Sequence, residues 1–213
     1  HPGVKIAFNF AGSQLLRTQL EQGASADIFA SADRKNMDGI IQEGLVSADK
    51  ARDFATNRLT VIMPADNPGQ LTTLQDLARP GIKLILADAS VPAGNYARQI
   101  LANLSTDPAY GAYYASKVLG NVVSDENDVK QVVAKVDLGE ADAGIVYLTD
   151  AHAKPNLKEI PIPIEYNALA DYPIAPLEHA QSMELADSFI QYVLSADGQA
   201  ILQKWGFASP NGK

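Results

Sequence analysis

Apolar positions along this chain recur at two spacings, every second residue or every third to fourth, and each change of spacing marks a change of element. Val4 to Phe10 alternates apolar and polar, which predicts a strand. Ser13 to Gln22 has helical spacing closed by Gly23, and Ala26 to Ala32 predicts a second strand, so the three together read as a βαβ unit. Asp33 is placed to cap a helix over Arg34 to Glu43, whose Met37, Ile40 and Ile41 form an apolar stripe ending at Gly44. Leu59 to Met63 is a short apolar strand halted by Pro64 and the turn-forming Asp66-Asn67-Pro68-Gly69. The chain is expected to leave a first lobe there.

A second lobe repeats the plan. Ile82 to Ala87 predicts a strand, and a helix from about Ala93 carries Tyr96, Ile100, Leu101 and Leu104 on one face. Ser124 to Asn127 offers N-cap candidates for a helix with Val129, Val132, Val133 and Val136 at i, i+3, i+4 and i+7, stopped by Gly139. Ala143 to Leu148 reads as a buried strand, and the proline-punctuated stretch from Ile160 to Pro176 as edge or crossing strands. Leu185, Phe189 and Val193 mark a closing helix, with a shorter one around Ile201 to Trp205. Alternating strands and helices imply an α/β fold with mostly parallel sheets, and in such sheets ligands sit beyond the carboxyl ends of strands, where helices begin.

The bulk properties narrow the chemistry. The 213 residues are 46% hydrophobic and 20% charged, an ordinary globular composition, and the net charge of -8 argues against a nucleic-acid partner, which needs clustered Lys and Arg. An anionic ligand would therefore have to be held by local dipoles. With no cysteine, disulfides, zinc thiolates and cysteine nucleophiles are excluded, and no stretch reaches the ~20 apolar residues of a membrane span.

Candidate chemistry gathers at the predicted helix starts. Phe10-Ala11-Gly12-Ser13 leads into a helix through small residues that let a ligand approach backbone N–H groups, with the Ser13 hydroxyl as a further donor; taken alone, Ser13 reads more simply as a helix cap. Val91-Pro92-Ala93-Gly94-Asn95-Tyr96 makes a similar turn in the second lobe, with Ala93 and Gly94 unobstructed. Asp128-Val129 starts another helix, where the Val129 side chain packs while its N–H is free to face a ligand. Gly144-Ile145-Val146-Tyr147 ends a buried strand with a phenol, either a cleft donor or a cover for the core. Singly, each has a structural reading; as a set drawn from two lobes, they are explained together by one anion cleft.

These segments, with Gln22-Gly23-Ala24-Ser25-Ala26-Asp27-Ile28-Phe29-Ala30-Ser31-Ala32-Asp33, Glu126-Asn127-Asp128-Val129 and Trp205-Gly206-Phe207, resemble the periplasmic molybdate-binding proteins of ABC transporters across essentially the whole chain. The resemblance implies a two-lobed, type II periplasmic-binding fold with the ligand cleft between lobes, each lobe a mostly parallel sheet flanked by helices. Residues 1–62 and 172–213 would form the first lobe and 63–171 the second. It implies molybdate or tungstate as ligand, no cofactor, and a site made by Ser13, Ala93, Val129 and Tyr147. It also implies an extracytoplasmic, non-enzymatic protein, in the periplasm or on the outer face of the cytoplasmic membrane, that serves a membrane permease as a monomer. One departure stands out. The chain opens at His1-Pro2-Gly3-Val4, which looks like the loop before the family's second strand, so roughly thirty residues, about one βα unit carrying another ligand serine, are expected to be missing, with a swapped dimer or impaired binding as consequences.

Two rivals are weighed against this reading. A hydrolase using Ser13 as nucleophile needs a base beside it, and His1, His152 and His179 sit in no recognisable motif. A binder of amino acids or sugars would present an Arg or Asp, or stacked aromatics, and the four matched positions offer neither.

Overall fold

The computed structural model describes residues 3–210. His1 and Pro2 of the opening loop, and residues 211–213, lie outside them. In chain order the elements are α1 (Ser13–Glu21), β1 (Ile28–Ala30), α2 (Arg34–Gln42), β2 (Arg52–Asn57), β3 (Leu59–Met63), a 3-10 turn (Leu74–Ala78), β4 (Leu84–Ala87), α3 (Pro92–Leu104) and α4 (Tyr114–Leu119). There follow β5 (Val122–Glu126), α5 (Val129–Asp137), β6 (Ala143–Tyr147), α6 (Leu148–His152), β7 (Lys158–Pro161), β8 (Ala170–Pro176), α7 (Met183–Leu194) and α8 (Ala196–Lys204).

The strands form two sheets, ordered β1-β8-β2 and β5-β4-β6-β3-β7. The chain passes from the first to the second at Arg58 and returns between Pro161 and Ala170. The α/β class expected from the sequence stands, but the sheets are mixed rather than mostly parallel. Only β5, β4 and β6 run parallel, whereas β3 and β7 are antiparallel to their neighbours and the three-stranded sheet is antiparallel throughout. β3 and β8, the strands that follow the two crossings, are each antiparallel to both of their neighbours.

The helices follow their sequence signals. Asp33 caps α2, accepting from the Asn36 N–H at 2.9 Å, and Gly44 takes the left-handed φ of 72° that ends the helix. The valine stripe of α5 is buried against β4 and β6. Its cap is Asp128 rather than the Ser124–Asn127 group, because Ser124–Glu126 belong to β5, where Glu126 pairs with Lys135 at 2.5 Å.

One further expectation changes, and one strand had no signal in the sequence. Val4–Phe10 pairs with no strand among the described residues, and Ile6, Phe8 and Phe10 are 58%, 63% and 75% exposed. Alternation selects a strand only where a neighbour completes the ladder, and β1 pairs instead with β8, so the first βαβ unit does not form. The polar strand β2, Arg52–Asn57, had no apolar alternation to reveal it. The proline-punctuated stretch supplies both kinds of strand expected of it: β7 lies at the edge of the five-stranded sheet, and β8, reached by the return crossing, is the central strand of its own, where the register of β2 slips between Asp53 and Ala55, beside Pro173. That irregularity accommodates the residue that has no N–H to give.

Most of the buried apolar residues lie around the five-stranded sheet, and a smaller cluster of Phe29, Met37, Ile40, Val46, Ala175 and Leu177 lies under α2. The two sheets meet at aromatic rings: Tyr172 of β8 contacts Phe54, Tyr147 and Phe207 at centroid distances of 6.2, 5.7 and 5.7 Å. Beside them, Asn57 donates to Thr149 Oγ1 at 2.8 Å and to the Tyr172 hydroxyl at 3.3 Å.

Candidate functional site

At the start of α1 the N-cap is Gly12, with no side chain to offer the first-turn amides. Ser13 is therefore the first helical residue and not the cap. Its buried hydroxyl instead accepts from the Ala32 N–H at 3.0 Å, across the turn that follows β1. A hydroxyl that accepts one bond keeps its proton to donate. The simpler reading of Ser13 as a capping residue does not hold.

The start of α3 has the same character. Its N-cap, Val91, makes no side-chain bond, Pro92 has no N–H, and Ala93 is the first residue that can offer one. Gly94 plays another part. A Cβ there would fall 2.1 Å from the Asp88 carbonyl oxygen and 2.2 Å from that of Ala87, so its lack of a side chain seats the helix against the end of β4. It does not line the cavity described below. At α5 the Asp128 carboxylate accepts from Lys130 N at 2.6 Å and Gln131 N at 3.3 Å, which leaves the Val129 N–H as the first-turn amide that the cap does not take.

Tyr147 closes β6, a strand buried along its whole length. Its hydroxyl is fully buried, and the group that faces it is the Tyr172 hydroxyl, with which it makes no well-formed hydrogen bond. Burial above all, then the nearby Tyr172 and Tyr96 hydroxyls, pushes its ionisation well above the ordinary phenol range, so it remains a proton donor. A buried hydroxyl without such a bond is uncommon and costly. Next to it, Asp150 accepts from the Tyr147 N–H at 3.3 Å, and burial raises its pKa to about 6 against the lowering effect of that bond.

Ser13, Ala93, Val129 and Tyr147 come together on a single cavity of about 140 Å³, walled also by Phe10, Ala11, Gly12, Ala32, Val91, Pro92, Asp128 and Lys130. Two of these walls carry roles that the sequence did not suggest: Ala32, whose N–H holds the Ser13 hydroxyl, and Lys130, the one cation among the lining residues. A cap signal at Asp128 points to the Lys130 region, but only the folded chain brings Ala32 to Ser13. His152 and His179 are exposed and lie off the cavity, so no histidine among the described residues stands beside Ser13 as a base. The arrangement can donate hydrogen bonds to an anion from several directions, and no histidine is among the residues that line it.

Residues 1–208 match the family described as bacterial extracellular solute-binding protein. The chain belongs to that family. It is thus an extracytoplasmic binding protein and not an enzyme. Among relatives of this solute-binding protein, the molybdate-binding protein ModA of Mycobacterium tuberculosis is 38% identical over 211 residues, covering 99% of this chain and 76% of the relative. The substrate-binding domain of a putative molybdenum ABC transporter from Clostridium difficile is 31% identical, with a TM-score of 0.69 over 97% of this chain and 87% of that one. The Azotobacter vinelandii periplasmic molybdate-binding protein shares the fold at a TM-score of 0.82, with 22% identity, over 99% of this chain and 90% of its own.

Proposed function

We propose that this solute-binding protein captures molybdate, and tungstate with it, in the periplasm or at the outer face of the cytoplasmic membrane, and hands it as a monomer to the permease of an ABC transporter. The observation that carries the reading is the convergence of three helix starts and one buried tyrosine hydroxyl, with no well-formed hydrogen bond inside the protein, on one cavity, in a chain 38% identical to a protein named for molybdate binding.

In this reading the lobes expected at 1–62 with 172–213 and at 63–171 close on the ligand, the first boundary being drawn back to Arg58 so that all of β3 goes with the second. Ser13 donates its hydroxyl proton while Ala32 holds its oxygen, Ala93 and Val129 donate backbone N–H groups, and Tyr147 donates its phenol proton. The anion gives up its water for these donors, each worth roughly 1.5–3 kcal/mol to a charged acceptor. No cofactor takes part. Donors fixed on helix starts select by radius, which disfavours the smaller sulfate.

Isothermal titration with molybdate, tungstate, sulfate and phosphate tests this. Tight binding of the first two with weak binding of the others is expected; equal affinities for sulfate and molybdate would overturn the assignment.

A further inference from the structure

Two contacts join α1 and the segment before it to the start of α5, next to residues that line the cavity, and neither belongs to the donor set. Gln14, the second residue of α1, donates from Nε2 to the Asn127 carbonyl at 3.0 Å, immediately before the cap of α5. Lys130 of α5 holds its ammonium 5.1 Å from the centroid of the Phe10 ring, which stacks on Phe8 with centroids 5.5 Å apart and planes 9° from parallel. On one side α1 packs on α2, which packs on β8 of the three-stranded sheet; on the other, α5 packs on β4 and β6 of the five-stranded sheet. Both contacts therefore tie one layer to the other.

The Gln14 amide lies close over Gly12, where a Cβ would stand 2.5 Å from Oε1 and 2.7 Å from Nε2, so a side chain there would push the flexible amide aside. The Gln14 Oε1 is buried without a partner. The fold accepts that unsatisfied oxygen while Nε2 stays on the Asn127 carbonyl.

We infer that Gln14 and Lys130 form a two-point latch that holds the cavity shut, so that they govern how long a captured anion stays without touching it at the donor positions. They are positioning residues, and the inference rests on the oxyanion reading given above. A neutral hydrogen bond and an exposed cation–π contact are each modest. Such strengths suit a latch that must release.

The test measures molybdate association and dissociation rates for the wild-type chain, Gln14→Ala, Lys130→Met, Lys130→Arg and the Gln14→Ala/Lys130→Met double variant. Solution scattering and amide hydrogen exchange follow on each protein without ligand. Gln14→Ala is expected to speed dissociation by about 2- to 12-fold with association unchanged. Lys130→Met is expected to speed it by about 2- to 5-fold and Lys130→Arg to restore the wild-type rate, because the guanidinium also sits over a ring. Without ligand, the double variant should show a larger radius of gyration and faster exchange at the Val129 amide. Wild-type dissociation rates in both single variants would refute the latch and leave the molybdate reading standing. If the wild-type chain binds no oxyanion, the molybdate reading falls, and the ligand-free radius and exchange decide the latch: expansion supports it and no change refutes it.

Discussion

Replacing Tyr147 by phenylalanine removes one oxygen atom and should move stability and affinity in opposite directions. That hydroxyl is buried with no well-formed hydrogen bond inside the protein, which leaves up to about 1–3 kcal/mol of desolvation cost for the contents of the cavity to offset. Tyr147→Phe keeps the ring and its edge contact with Tyr172 at 5.7 Å, and relieves the cost. The variant should unfold at a temperature higher by roughly 2–4 °C for each kcal/mol regained. With molybdate bound, the same hydroxyl is a donor to a charged acceptor worth about 1.5–3 kcal/mol, and losing it should weaken binding ~10- to 150-fold. Thermal melts without ligand and isothermal titration with molybdate read the two effects separately. An unchanged affinity, or a ligand-free Tyr147→Phe protein less stable than wild type, would refute the claim that the oxygen is there for the ligand.

Ser13→Ala should lower both quantities, because it takes the donor from the ligand and also leaves the Ala32 N–H without its acceptor; we expect a comparable loss of affinity together with about 1–3 kcal/mol of stability in urea titrations. Gly94→Ala forces a Cβ into the Asp88 and Ala87 carbonyl oxygens, should cost on the order of 1–3 kcal/mol, and should weaken binding by shifting the Ala93 amide, seen as a lower urea midpoint and a higher Kd. Asp150 ionises near pH 6 when folded, against 3.8 for the ordinary side chain. The folded state thus holds this proton more tightly than the unfolded chain, and its share of stability is present below about pH 4 and lost as pH rises to about 6. Asp150→Asn should flatten that slope and stabilise the protein at pH 7.5 by up to ~3 kcal/mol, and urea unfolding across pH 4 to 8 checks it.

What the sequence revealed depended on whether the signal was local. The helices of the valine stripe and of Met37, Ile40 and Ile41 were legible because spacing, cap and terminal glycine all lie within one segment. β2 was not, because Arg52, Asp53, Thr56 and Asn57 look like loop residues until β8 pairs with them. Val4–Phe10 failed in the opposite way, with local alternation present and no partner among the described residues to realise it. The same division holds at the site. Ser13, Ala93 and Val129 could be picked out because a helix start is a local feature with known donors. Ala32, Gln14 and Lys130 owe their roles to residues distant in the chain.

The placement of β8 between β1 and β2 has a consequence for the order in which the chain acquires its structure. Ile28 pairs with Pro176 and Arg52 with Ile174, and β1 and β2 do not pair with each other. Every ladder of the five-stranded sheet, by contrast, lies within residues 59–161. A chain emerging from a ribosome or a translocon can thus complete the larger sheet while the first two strands still wait for the segment that joins them. Loops closed over so long a span are slow to form. Refolding followed by pulsed hydrogen exchange should accordingly protect Ile85 and Ile145 before Phe29 and Ala55, and the cavity, which draws on both sheets, should be the last part of the molecule to become competent.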